Sequence, residues 1–178
     1  PDRVSGLVLV DSVGMPAPRE GKGPPLIFKL LRNPLGRAIL RRADPRPLAV
    51  PGLRQGYVDA TLVTDDLVDR YVELARAPGH RALLLSGQAA PRTPMSPAAF
   101  AAIKAPTLIM HGEADTVIPV EAGRGLARAI PGAELVTWPG VGHVPMEQIP
   151  QRSGDVLSAF LGRLPAVAEG TGGAGEAP

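Results

Sequence analysis

The 178 residues include 44% hydrophobic side chains, enough for one ordinary domain with a core, and no cysteine, which excludes disulfide frameworks, thiolate metal sites and cysteine nucleophiles. With 19 basic against 17 acidic residues the formal net charge is only +2, and aromatics are 3%, too little charge and too few stacking rings for a nucleic-acid-binding module. No apolar run approaches the roughly 20 residues of a bilayer span. The expectation is a soluble, cytoplasmic protein with no membrane partner.

The first element is the run Gly6 to Val10, Gly-Leu-Val-Leu-Val, ended by Asp11-Ser12. Pro106 to Met110 repeats that form before His111-Gly112, and Ala133 to Trp138 predicts a third strand. Continuous apolar runs of this length suit strands buried on both faces, as in a parallel sheet covered by helices. Between the last two runs, Ala122, Leu126 and Ile130 recur at helical spacing and stop at Pro131-Gly132. That is a strand, helix, strand unit, and therefore parallel.

The stretch from Met15 to Ala102 has a different character, with prolines as punctuation and apolar residues at helical periods. Asn33 is placed to cap a helix with Pro34 at its first position, and Leu35, Ala38 and Ile39 share a face before Asp44-Pro45. Arg37, Arg41 and Arg42 in its C-terminal half suit the helix dipole rather than a phosphate site. Thr64 is placed to cap a second helix, with Asp65 and Asp66 in its first turn and a stripe of Leu67, Tyr71, Leu74 and Ala75 before Pro78-Gly79. His80 then reads as a surface-loop residue. Near the end, Val156, Leu157, Phe160, Leu161 and Leu164 mark an amphipathic helix, and Gly170 to Pro178 has the composition of a disordered tail.

Two short turns follow apolar strands and present ionisable residues: His111-Gly112-Glu113-Ala114-Asp115 and Gly140-Val141-Gly142-His143. In open α/β sheets ligands bind beyond the carboxyl ends of the strands, so both turns fall on the reactive edge. A carboxylate on one loop can accept the ring N–H of a histidine on the next, fixing its tautomer and stabilising imidazolium. Asp115 and His143 are the candidates, and the interval between them fits one helix and one strand. His111 reads as shaping its turn. Trp138, Met146 and Tyr71 are pocket candidates for which core packing is the simpler reading.

These motifs resemble the α/β-hydrolase superfamily, in particular its cap-bearing esterases, lactonases, carbon–carbon bond hydrolases and dehalogenases. Ile103 to Pro119 is similar to the family's penultimate core strand and acid loop, Gly140 to Pro150 to its histidine loop, and Arg3 to Ser12 to the strand after the nucleophile helix. The resemblance implies a partial α/β-hydrolase fold, with about three parallel core strands, flanking helices and a helical cap insertion. Residues 1–14 are then a core strand and turn, 15–102 the cap, 103–165 the C-terminal core with the acid and histidine loops, and 166–178 the disordered tail. It also makes Asp11 a second candidate acid, after the earlier strand.

The family's nucleophile stands on a Gly-x-Ser-x-Gly elbow. None of Ser5, Ser12, Ser86, Ser96, Ser153 and Ser158 lies in one. The expectation is a C-terminal fragment of a hydrolase of small ester or lactone substrates, with an upstream serine nucleophile served by Asp115 and His143. Alone it is expected to be inactive. No metal cluster or phosphate loop is read, so no cofactor is expected, and the oligomeric state is left open. Two alternatives are an aspartate-nucleophile dehalogenase or epoxide hydrolase, and a non-catalytic binding module on the same scaffold.

Overall fold

The structure is a computed structural model and describes residues 4–14, 30–87 and 95–165. Residues 15–29, the first part of the expected cap, and the expected tail at 166–178 lie outside the described residues.

Three strands, β1 (Leu7–Val10), β2 (Thr107–Gly112) and β3 (Glu134–Trp138), form one parallel sheet in the order β1-β2-β3. Leu7 is in register with Thr107 and Ile109 with Leu135. Only the central β2 is buried at every position; β1 and β3, each with one neighbour among the described strands, are half-buried over most of their length. The expectation of burial on both faces is thus fully met only in the middle.

Alternation along β2 divides the core into two layers. Leu108 and Met110 point to one face, where they pack with Trp138, Val141 and Phe160. Phe160 comes from the C-terminal helix α8 (Pro150–Leu161), which follows the short α7 (Pro145–Gln148). Ile109 points to the other face and meets Leu126 and Ile130 of the β2–β3 crossover, together with Phe100. That crossover helix is α6 (Val120–Ala129), with Ala122, Leu126 and Ile130 almost fully buried, as its spacing predicts. The chain leaves it through Gly132 at φ 73°, a left-handed position that favours glycine.

The intervening segment is helical: α1 (Pro34–Leu40), α2 (Arg46–Tyr57), α3 (Asp65–Arg76), α4 (His80–Gly87) and α5 (Pro97–Ala101). Asn33 Oδ1 accepts the Leu35 and Gly36 amides at 2.8 and 3.2 Å, and Thr64 Oγ1 accepts the Leu67 amide at 3.2 Å, so both expected caps form. The expected faces do not bury as read. Leu35 and Ile39 are 70% and 59% exposed, because α1 turns Gly36 inward, where a Cβ would sit 2.4 Å from the Leu30 carbonyl oxygen. In α3 the buried line is Val68 and Val72, one position round from the expected stripe, and Leu74 is exposed. Val68 and Val72 close on Leu53 and Tyr57 of α2, making a small core separate from the sheet. His80 opens α4 instead of lying in a loop, with its Nδ1 3.0 Å from the Leu74 carbonyl oxygen.

Candidate active site

Parallel neighbours end at the same edge, so β2 and β3 deliver their loops side by side. The β2 loop carries Asp115, whose Oδ1 accepts the amides of Val117 and Ile118 at 2.7 and 2.9 Å. Its own loop fixes the carboxylate and leaves Oδ2 for the imidazole. His143 Nδ1 stands 2.8 Å from that oxygen. A carboxylate accepting from Nδ1–H selects the tautomer in which Nε2 is the basic nitrogen. The Asp115 side chain is fully buried, while that of His143 is 34% exposed.

The electrostatics follow from this placement. Burial acts to raise the Asp115 carboxyl, but the two histidines and the Ile118 amide outweigh it and hold it at about 2. The bond to Asp115 in turn raises His143 above its ordinary value, against the opposing effect of burial.

The loops touch at two glycines. A Cβ on Gly112 would lie 2.1 Å from the Gly142 carbonyl oxygen, and one on Gly142 would lie 2.2 Å from that of Gly56. The second contact brings in the helical segment: the His143 amide donates to the Gly56 carbonyl at 2.7 Å, and the Thr116 hydroxyl to that of Gln55 at 3.2 Å. Directly after Tyr57, Val58 takes φ 57°, costly for a β-branched residue, on the order of 1–3 kcal/mol.

Asp11, the second candidate acid, is buried but bonds elsewhere. Its Oδ1 accepts the Gly112 amide at 2.9 Å, while Oδ2 has no hydrogen-bond partner among the described residues. Burial raises its carboxyl. Asp115, not Asp11, hydrogen-bonds His143. Between the two acids lies His111, fully buried, with Nε2 donating to the Ile118 carbonyl at 2.9 Å and lying 3.7 Å from Asp11 and 3.6 Å from Asp115. Burial acts to lower its imidazole, and the carboxylates and the Ile118 carbonyl together raise it. This bond across the acid loop is consistent with a turn-shaping residue.

Asp11, His111 and Asp115 place one ligand atom each within 4.8 Å of one another, a spacing a cation could use. Asp115, however, already accepts three hydrogen bonds, two amides on one oxygen and His143 on the other. A metal there would compete with His143 for Oδ2, the oxygen that orients the imidazole, so the residues do not make a ready-made metal centre.

Beside His143 opens a cavity of about 620 Å³ whose walls are mainly apolar, with Leu48, Leu53, Tyr57, Tyr71 and Val144 among them. A wider recess of about 1060 Å³ is bordered by Arg37, Arg41, Arg76 and Arg81. Neither Asp115 nor His143 lines it, so the apolar cavity is the one that bears on the chemistry. Of the pocket candidates, Tyr71 lines this cavity, Trp138 is in the sheet core and Met146 is 47% exposed.

Sequence reasoning missed Glu147. Its Oε1 accepts the Tyr71 hydroxyl at 2.8 Å, and its Oε2 accepts the Tyr57 hydroxyl and, at 2.7 Å, Arg70 Nη2. Gln148 beside it accepts the Gly142 amide at 2.7 Å. The acid falls among Pro145 to Pro150, where local pattern signals only a helix start, and its partners are distant in the chain.

A parallel sheet covered by helices, with a buried acid and a histidine bonded across adjacent strand-end loops, is the architecture of an α/β hydrolase. The chain belongs to the alpha/beta hydrolase family, whose model matches residues 2–156. It is 29% identical over 151 residues to the 2-hydroxy-6-oxo-6-phenylhexa-2,4-dienoate hydrolase of Burkholderia cepacia, covering 80% of this chain and 49% of that protein. It is also 37% identical over 89 residues to the 2-hydroxy-6-oxononadienedioate/2-hydroxy-6-oxononatrienedioate hydrolase of Comamonas testosteroni, covering 48% of this chain and 31% of that one. The chain thus spans about half or less of the curated relatives it matches. Among solved structures, a thermophilic esterase from Thermogutta terrifontis superposes with TM-score 0.67 at 23% identity, covering 89% of this chain and 56% of the esterase. The meta-cleavage product hydrolase of Pseudomonas fluorescens IP01 gives 0.66 at 21%, covering 88% and 55%. At these identities the two structures speak for the fold.

Proposed function

We propose that this chain supplies the acid and the general base of a hydrolase acting on small, mainly apolar carbonyl compounds, with the segment 15–102, which carries helices α1 to α5, as its cap. Asp115 orients the imidazole and stabilises it when charged; His143 moves the proton. A nucleophile from outside these 178 residues, a serine in this reading, attacks the substrate carbonyl carbon while His143 Nε2 takes its hydroxyl proton. That proton passes to the leaving group as the acyl intermediate forms, and His143 then activates the water that releases the acid. The observation that carries the reading is the 2.8 Å bond between His143 Nδ1 and a fully buried carboxylate, beside an apolar cavity.

The finer reading is an ester or lactone substrate. The names of the two dienoate hydrolases favour a second, hydrolysis of a carbon–carbon bond next to a ketone, which uses the same proton transfers with a carbon leaving group.

The test is to assay the enzyme containing this chain against p-nitrophenyl esters, a lactone and a 2-hydroxy-6-oxo-dienoate, as wild type and as His143→Ala. Loss of roughly 10⁵–10⁶-fold in kcat/KM is expected. Retained activity in His143→Ala would overturn the assignment. Labelling by a phosphonate at a serine separates this reading from an aspartate nucleophile, which would not label.

A further inference from the structure

The 178-residue sequence contains two tyrosines, and both donate to one carboxylate. Tyr57 ends α2 and Tyr71 lies in the middle of α3, so Glu147 ties two helices to the short helix that follows the histidine loop. Arg70, next to Tyr71, adds a third donor at 2.7 Å. An ionised carboxylate offers about four lone-pair sites, so all three donors can be accepted together, each as a charge-assisted bond.

The position of Tyr57 gives this cluster its consequence. The residue before it, Gly56, holds the His143 amide through its carbonyl, and Val144 packs on the small core of Leu53, Tyr57, Val68 and Val72. The chain from His143 to Glu147 is therefore gripped at both ends by one corner of the helical segment. At the near end the grip is a backbone bond at 2.7 Å; at the far end it is Glu147.

We propose that Glu147 is a positioning residue that couples the α2–α3 pair to His143, setting where the imidazole stands against the apolar cavity. Its functional meaning rests on the reading of His143 as the general base. Glu147 needs no contact with substrate for this role. It acts through Tyr57 and Gly56.

Having only two tyrosines makes the coupling measurable in the full 178-residue chain. Burial first, and the hydrogen bond to Glu147 second, push both phenols above their ordinary value. Near-ultraviolet titration of the wild type is expected to show no phenolate at the usual tyrosine midpoint of about 10. In Glu147→Gln both phenols should move down toward it. In the same variant the His143 amide should exchange with solvent at least about tenfold faster, the size of one lost hydrogen bond. The His143 imidazole, followed by NMR, should titrate closer to an ordinary histidine. Tyr57→Phe keeps the ring and removes the hydroxyl, and should give part of the same change. Glu121→Gln, in a surface pair with Arg124, should give none.

Wild-type tyrosines that ionise near 10 would overturn the proposal. So would a Glu147→Gln chain whose tyrosines move while His143 exchange and titration stay put, since Glu147 would then fasten helices without positioning the histidine. If Glu147→Gln does not fold, unchanged His143 exchange in both Tyr57→Phe and Tyr71→Phe decides against it. Activity retained in His143→Ala would instead remove the catalytic reading and leave the measured coupling standing.

Discussion

The backbone amide of His143 donates to the carbonyl of Gly56 at 2.7 Å, so the histidine is held by the helical segment as well as by its own loop. That contact works only because Gly142, just before it, has no side chain. A Cβ there would meet the Gly56 carbonyl oxygen at 2.2 Å, and that oxygen is backbone, which cannot swing aside.

Gly142→Ala should therefore destabilise the chain by about 1–3 kcal/mol, the usual cost of overpacking, lowering Tm by roughly 2–12 °C. Gly154 in α8 is the contrast, since nothing lies within 4 Å of its added Cβ. Gly154→Ala should raise Tm through the helix propensity of alanine, worth up to about 1 kcal/mol. Thermal melts of the two variants, read by circular dichroism, check both signs.

Acid should weaken the fold through Asp115. Its carboxyl is lowered from 3.8 to about 2, so its contribution is complete above pH 3.8 and disappears as the pH falls toward 2. The shift corresponds to about 2 kcal/mol. Asp11, raised by burial, works in the opposite sense, gaining stability as it protonates. Urea unfolding from pH 5 to pH 2 should show a steeper loss in the wild type than in Asp115→Asn, and equal slopes would count against Asp115 as the ionised partner.

The pH–rate profile of the active enzyme should carry the same signature. A general base must be neutral to take a proton, and Asp115 raises His143 above 6.5, so kcat/KM should climb as the pH passes through that raised value. In Asp115→Asn the rising limb should move down toward about 6.5 while the plateau falls by roughly 10³–10⁴-fold. A limb that stays in place would show that the histidine is set by something else.

Helix α3 offers a test of packing. Val68→Ala removes a side chain that is 3% exposed, and should cost about 1–2 kcal/mol. Leu74→Ala, at 53% exposure, should stay within about 0.5 kcal/mol of wild type. Denaturant midpoints of the two variants would reverse in order if the sequence-read stripe were the buried one.

That stripe marks the boundary of what local pattern conveys. The three strands, the crossover helix and the two caps are written in continuous apolar runs, spacing and capping residues, all short-range signals. The pairing of Asp115 with His143 was legible too, because adjacent parallel strands bring successive loops together. The burial of Val68 over Leu74 was not, since α3 packs mainly on α2 rather than on the sheet and both faces carry apolar residues. Glu147 was hidden for a related reason: its partners Tyr57, Arg70 and Tyr71 are brought to it only by tertiary packing. The exposed leucine and isoleucine of α1 follow from Gly36, whose close approach to Leu30 decides which way that helix turns.

The pairing of β1 with β2 also sets an order of events. Leu7 aligns with Thr107, so every ladder bond β1 makes to β2 waits for a strand a hundred positions later in the chain. At ordinary elongation rates that interval is on the order of ten seconds, long enough for α2 and α3 to join first through Leu53, Tyr57, Val68 and Val72. The α2–α3 pair can thus form before β2 is available to β1. During the wait the β2-facing edge of β1, Leu-Val-Leu-Val, has no partner and is open to aggregation or to holding by a chaperone.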